Sequence, residues 1–187
     1  MKKNMEAMPI LSPVPVVMVS CSDGEMDNIT TVAWTGIINS EPLMVYISLR
    51  PERKSYSIIN KSKEFVINIP NSNLVFEADY CGTKSGRNEN KFESLGLTKE
   101  KCSKVNAPAI AECPINLECK VEEIKELGSH NMIVARVLCV NVDEKYVNEN
   151  NKIDFLSANL LTYLGTDYIV ANNKVGERGI CIKKNNL

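Results

Sequence analysis

Apolar and polar positions alternate along this chain in short runs that turn residues separate. Val14 to Cys21 is apolar and β-branched, and Ser22-Asp23-Gly24 follows as a turn, so a strand is predicted there. Asn28 to Ile38 is rich in Thr, Val and Ile and reads as one strand, with Pro42 closing the next turn. Leu43 to Leu49 sets Leu43, Val45, Ile47 and Leu49 against Met44, Tyr46 and Ser48, the period of two expected of a half-buried strand. Beyond Pro51 the period lengthens. Tyr56 and Ile59 fall on one face between Arg53 and Lys61, a helical pattern with Ser55 near its start. Strand character returns from Glu64 to Ile69 and stops at Pro70. Two short helices are predicted next, Asn73 to Tyr80 ended by Gly82 and Asn90 to Leu95 ended by Gly96. Ile115 to Ile124, Met132 to Val142 and the stretch from Leu160 to Val170 then read as strands. Many strands with few helical excursions predict a mainly β architecture, a barrel rather than a parallel α/β sheet. With no repeat, low-complexity stretch or linker, residues 1–187 read as a single domain.

Composition narrows the function more than the fold. Hydrophobic residues make up 44% and charged residues 24%, ordinary globular usage. A formal net charge of −1 gives no electrostatic case for nucleic acid or an anionic membrane, and the Lys183-Lys184-Asn185-Asn186 tail reads as a frayed end. Glu6, Pro9, Pro13 and Pro15 interrupt the apolar stretch that ends at Cys21, so it does not read as an export signal. No run approaches the roughly 18 apolar residues of a membrane span, and the chain reads as cytoplasmic. Cysteines at 21, 81, 102, 113, 119, 139 and 181 form no Cys-x-x-Cys, so they read as reduced thiols, mostly small core residues, and not as metal ligands. Gly-x-Gly-x-x-Gly, a phosphate loop and His-Glu-x-x-His are all missing, and His130 is the sole histidine. Without evident acid–base machinery, the pattern favours a bound cofactor that carries the reaction.

Three segments offer such a cofactor a place. Asn28-Ile29-Thr30-Thr31-Val32-Ala33-Trp34-Thr35-Gly36 combines small residues with a lone Trp, which lets a planar ring approach the backbone. It equally describes a barrel strand with a packed Trp. Ser48-Leu49-Arg50-Pro51-Glu52-Arg53-Lys54-Ser55-Tyr56 runs from a strand end into a helix start, with the guanidinium, hydroxyl and N–H donors that a phosphate dianion requires; a solvated loop reads the same way. Asp79 to Phe92 contains the tight Ser85-Gly86 turn and opens a helix with Lys91-Phe92.

Taken in order and spacing, the three segments resemble the flavin reductase-like family, and within it the flavoredoxin branch. The resemblance extends from about Pro13 to Tyr168. It implies a Greek-key FMN-binding split barrel with a few short peripheral helices, assembled as a homodimer with each flavin near the interface. Carried over by position, Asn28, Thr30, Thr31, Ala33 and Trp34 would lie along the flavin ring. Ser48, Leu49, Arg50 and Ser55, helped by Arg53 or Lys54, would hold the ribityl chain and phosphate. Cys81, Ser85 and Lys91 would close the site, with Lys91 toward the phosphate. His130 would stand on the nicotinamide side as the candidate catalytic residue. Ala135 departs from the glycine that the family often has, which touches the same nicotinamide pocket. Tyr163 and Tyr168 would reach the partner's flavin. The family implies an FMN-dependent oxidoreductase with NAD(P)H as donor, or alternatively an FMN electron carrier that exchanges electrons with a redox protein partner.

Overall fold

A computed structural model describes residues 1–183; Lys184, Asn185 and Asn186 of the basic tail lie outside the described residues. In chain order the strands are β1 (Val14–Pro15), β2 (Val17–Ser22), β3 (Asp27–Val32), β4 (Thr35–Ser40), β5 (Leu43–Leu49), β6 (Glu64–Ile69), β7 (Lys99–Glu100), β8 (Ala109–Ile110), β9 (Ile115–Glu126), β10 (Asn131–Val142), β11 (Leu161–Leu164) and β12 (Asp167–Val170). The helices are α1 (Lys54–Ser62), α2 (Val75–Thr83), α3 (Lys91–Leu95) and α4 (Ile180–Lys183).

Seven strands form one antiparallel sheet in the order β3-β2-β6-β9-β10-β5-β4. Its two edge strands, β3 and β4, are consecutive in sequence and joined only by Ala33 and Trp34. In a flat sheet the edges would stand about 29 Å apart, whereas three Cα steps span about 11 Å at most. The sheet must therefore curl until its edges nearly meet, which makes a barrel. Closure is incomplete: β3 does not pair with β5 along its length, and at the corner the Ser48 amide donates to the Trp34 carbonyl at 2.9 Å. The split between β3 and β5 is the feature that positions the site.

Inside the barrel, Val17, Val19, Cys21, Val45, Ile47, Leu49, Phe65, Ile67, Ile133 and Ala135 pack together, and α1 contributes Ile58 and Ile59 to the same cluster. The opposite face of β2 is also covered. Val16, Met18 and Ile29 pack under Leu74, Ala78 and Cys81 of the α2 region and Phe92 of α3. Hence every residue of β2 is buried, and its continuous apolar run reflects two covered faces. Asn68 fastens the loop before β9 to this wall: its side chain donates to the Met18 carbonyl and accepts from the Ile110 amide and from Asn116. Glu118 is buried and accepts from Ser103, Lys104 and Asn141. Burial alone would raise its carboxyl, but these donors outweigh it and hold the group below its ordinary range.

Several sequence expectations need correction. The strand expected over Val14–Cys21 is interrupted at Val16, and its first two residues pair with β11 in a separate small sheet. The strand expected over Asn28–Ile38 is broken at Ala33 and Trp34, where the chain crosses the split. Gly82 lies within α2, which continues to Thr83, and does not end the helix. A Cβ there would sit 3.3 Å from Thr31 Cβ, so this glycine admits close helix–strand packing. Gly96 does end its helix, in the left-handed region at φ 64°, and Asn90 caps the start by accepting from the Phe92 amide. Four of the seven cysteines are buried, Cys102 and Cys139 are half-buried, and Cys181 is exposed; all are free thiols. Among the described residues, no helix is long and apolar enough to cross a membrane.

Candidate active site

The split opens into a cleft with two connected halves that share Thr30, Arg50 and Arg53. The deeper half encloses about 380 Å³ between Asn28, Thr30, Arg50, Glu52, Arg53, Lys54, Ser55, Lys84, Ser85, Gly86 and Lys91. The shallower half, about 170 Å³, is walled by Thr30 to Trp34, Ser48, Leu49, Arg50, Arg53 and His130. The structure thus brings to one cleft every residue expected there from sequence except Cys81.

Charge is concentrated in the deep half. Arg50, Arg53, Lys54, Lys84 and Lys91 face it, against a single carboxylate, Glu52, which lies 3.5 Å from Arg50. A chain of net charge −1 therefore holds a locally cationic cavity. Lys91 is the unusual member, because its side chain is buried at 2% exposure. Its ammonium donates to the Ile29 and Cys81 carbonyls at 2.8 Å each, and among the described residues no carboxylate pairs with it. Burial pushes its pKa down; the nearby Cys81 opposes this and Arg53 adds to it. Cys81 serves through its backbone carbonyl alone. Its thiol is buried among apolar residues, which pushes its pKa up to about 12, and it does not line the cleft.

The start of α1 faces the same cavity. Arg53 occupies the cap position without a side-chain cap, and no acidic residue lies in the first turn. The helix dipole and its first N–H groups are therefore directed at a cationic hollow whose single carboxylate, Glu52, is paired with Arg50. Ser55, expected near the helix start, lies inside the first turn and is buried, with its Oγ accepting from Asn28 Nδ2 at 2.8 Å. Asn28 Oδ1 is buried and has no hydrogen-bond partner. Gly86 comes so close to this oxygen that a Cβ would lie 1.9 Å from it. Arg87 ties the Gly86 loop to the opposite wall by donating from Nη2 to the Glu52 carbonyl at 3.1 Å. The contribution of Gly86, Lys84 and Glu52 was missed from sequence, although Ser85-Gly86 was recognised as a tight turn. Only the fold shows what the turn packs against.

The shallow half suits a flat ring. Trp34 is 45% exposed, and its ring centroid lies 4.7 Å from that of His130, tilted by 40°. Ser129 Oγ lies 2.9 Å from His130 Nδ1. Partial burial and the neighbouring Arg50 lower the His130 pKa, which favours the uncharged imidazole. Thr31 Oγ1 donates to the Ala78 carbonyl, which leaves the Thr31 backbone and the buried Thr30 side chain toward the cleft. Ala135 lies in the barrel core, not on this wall. Tyr163 and Tyr168 also lie elsewhere. They pack on each other at 5.1 Å, and the Tyr168 hydroxyl donates to Asp79 at 3.1 Å.

A cationic cavity joined to an open slot beside an aromatic ring, on a split barrel, is the candidate site. The description "flavin reductase like domain" fits residues 11–168, and the chain belongs to that family. The solved flavoredoxin of Desulfovibrio vulgaris (Miyazaki F) superposes with a TM-score of 0.90 at 31% identity, covering 95% of this chain and 97% of that one. An uncharacterized protein of Pyrococcus abyssi is 30% identical over 156 residues, 82% of this chain and 90% of its own length. An NADPH-flavin oxidoreductase of Streptomyces viridifaciens is 26% identical over 128 residues, 67% of this chain and 65% of its own.

Proposed function

We propose that the protein binds FMN across the split, with the phosphate in the deep half and the ring in the shallow half, and transfers electrons from NAD(P)H. The observation that carries this reading is Lys91, a buried ammonium that lines the cavity and, among the described residues, has no carboxylate partner. The residues present fit the group: a buried ammonium, two guanidinium groups and an uncapped helix start line one cavity. Bound FMN would supply two-electron chemistry, with hydride exchanged at its N5 atom. Arg50, Arg53 and Ser55 would hold the phosphate end, and Ala33, Trp34 and Ser48 would fix the ring. His130, tilted against Trp34, would shape the nicotinamide side without exchanging a proton.

Two copies would complete the assembly in the cytoplasm. The edge strand β4 leaves Ile37 and Ile38 exposed at 74% and 48%, an apolar strip that supports association with a second copy. The likeness to flavoredoxin favours a second reading, an FMN carrier that exchanges electrons with a protein partner. Stopped-flow mixing of the FMN-loaded protein with NADH and NADPH separates the two. Bleaching of the flavin band at least about a hundredfold faster than for free FMN is the expected result. Bleaching no faster than in free solution, combined with rapid reduction by a low-potential iron–sulfur protein, would establish the carrier instead.

A further inference from the structure

A separate cavity of about 410 Å³ adjoins the shallow half of the cleft, and Ala33 and Trp34 belong to both. The N-terminal arm gives its wall Leu11 and three prolines, and Tyr46 of β5 gives it a phenol. Proline has a fixed φ and no N–H, so these positions form a stiff apolar wall without backbone donors. No lining residue is charged, whereas five cations face the deep half of the cleft. The phosphates of NAD(P)H would find no cation here. Polar groups are few. Thr35 Oγ1 is already engaged, donating to the Tyr46 carbonyl. The Tyr46 hydroxyl has no hydrogen-bond partner among the described residues. Gly36 sets the place of its ring, since a Cβ there would lie 3.2 Å from Tyr46 Cε1 and press on the phenol.

Resting on the FMN reading above, we propose that this cavity takes the electron acceptor, a small uncharged quinone, with the Tyr46 hydroxyl donating to one of its carbonyl oxygens. The cavity falls within the roughly 300–1,000 Å³ of small-molecule sites, and an apolar lining with one free donor is their usual composition. A flat ring without charge matches the proline wall and can stack against the exposed Trp34. A carbonyl oxygen matches the phenol, which is the donor still available. Hydride transfer requires the two rings to be adjacent, and a cavity that shares Trp34 with the flavin slot meets that requirement. NAD(P)H supplies the electrons to the bound flavin. The quinone then gains a hydride from the reduced flavin and a proton from water, and leaves as the hydroquinone while the flavin is oxidised again.

Trp34 is the one tryptophan of the chain, so its fluorescence reports on this cavity directly. The probe is duroquinone, whose ring methyls block addition by the seven cysteines. Titrated into flavin-free protein, it should quench Trp34 with saturation. Tyr46→Phe should weaken that binding about five- to tenfold, the loss of one hydrogen bond. Leu11→Asp, which brings a carboxylate to the apolar wall, should weaken it at least about tenfold. Leu11 is 88% exposed, so its replacement spares the core. Neither residue lines the flavin cleft, so both variants should keep FMN affinity within about threefold of wild type, which also shows that they have folded. In the FMN-loaded protein, reduced with dithionite without oxygen, duroquinone should reoxidise the flavin and saturate in the same concentration range. Quenching that rises without saturation, or that saturates alike in both variants and the wild type, would overturn the proposal. Saturation confined to Leu11→Asp sedimenting as a monomer, beside an unresponsive dimeric wild type, would assign the cavity to a second copy and overturn it too. Protein that takes up no FMN would overturn the reading beneath the proposal, whereas FMN-loaded protein blind to duroquinone overturns the proposal alone.

Discussion

Lys91→Met is expected to weaken FMN binding by about a hundredfold while changing riboflavin affinity by less than about threefold. The ammonium it removes is buried and bonded to two carbonyls, and among the described residues no carboxylate forms an ion pair with it. Two unit charges about 4 Å apart attract by about 4 kcal/mol at an effective dielectric of 20, before desolvation is subtracted. About 2–3 kcal/mol net is therefore a reasonable share for the phosphate, and riboflavin has no phosphate to lose it. Methionine also leaves the Ile29 and Cys81 carbonyls without their donor, at a cost of about 1–3 kcal/mol in stability. Riboflavin affinity serves as the internal control, since a collapsed cleft would lose both ligands alike. The wild type carries a pH signature of the same interaction. Because burial holds the Lys91 pKa below the ordinary lysine range, the preference for FMN over riboflavin should decline as pH rises through that lowered value. Isothermal titration with both flavins at neutral and alkaline pH checks both points; a Lys91→Met variant with wild-type preference for FMN would show that the phosphate lies elsewhere.

The second large effect is expected at Gly86. Its φ is not in the left-handed region, so the requirement for glycine is steric and not conformational. An alanine Cβ would sit 1.9 Å from Asn28 Oδ1 and 2.5 Å from Cγ, distances that no real pair of atoms tolerates. Asn28 cannot yield readily, since it is buried and held by Ser55. The loop carrying Ser85 and Arg87 must therefore move outward, which breaks the Arg87 bond to the Glu52 carbonyl that spans the cavity mouth. Overpacking of this kind costs about 1–3 kcal/mol, and here it falls on the loop that closes the site, leaving the barrel core intact. Gly86→Ala should accordingly bind FMN about ten- to a hundredfold more weakly, with thermal unfolding of the apo-protein shifted by only a few degrees. An unchanged FMN affinity would mean that this loop takes no part in the site.

Much of the barrel was legible because one physical rule dominated locally. β5 was read to the residue, since Val45, Ile47 and Leu49 face the core while Met44, Tyr46 and Ser48 are only half-buried. The start and end of α3 were legible because Asn90 and Gly96 each do a job that few other residues can. The break between β3 and β4 was not legible. Ala33 and Trp34 carry no turn chemistry, and the chain bends there because the sheet closes, a long-range event. The site divides in the same way. Arg50, Ser55, Ser85 and Lys91 carried recognisable phosphate chemistry in sequence, and the fold gathered them. The position of Asn28 beside Ser55 and Gly86, the backbone role of Cys81 and the steric demand at Gly86 depend on which strand lies beside which loop.

The central claim is that this cleft holds FMN, and the flavin content of the protein itself tests it most directly. Protein purified without added flavin should be yellow and should release FMN, not FAD or riboflavin, on denaturation, approaching one per chain after incubation with excess FMN. Colourless protein that takes up no FMN on titration would contradict the account.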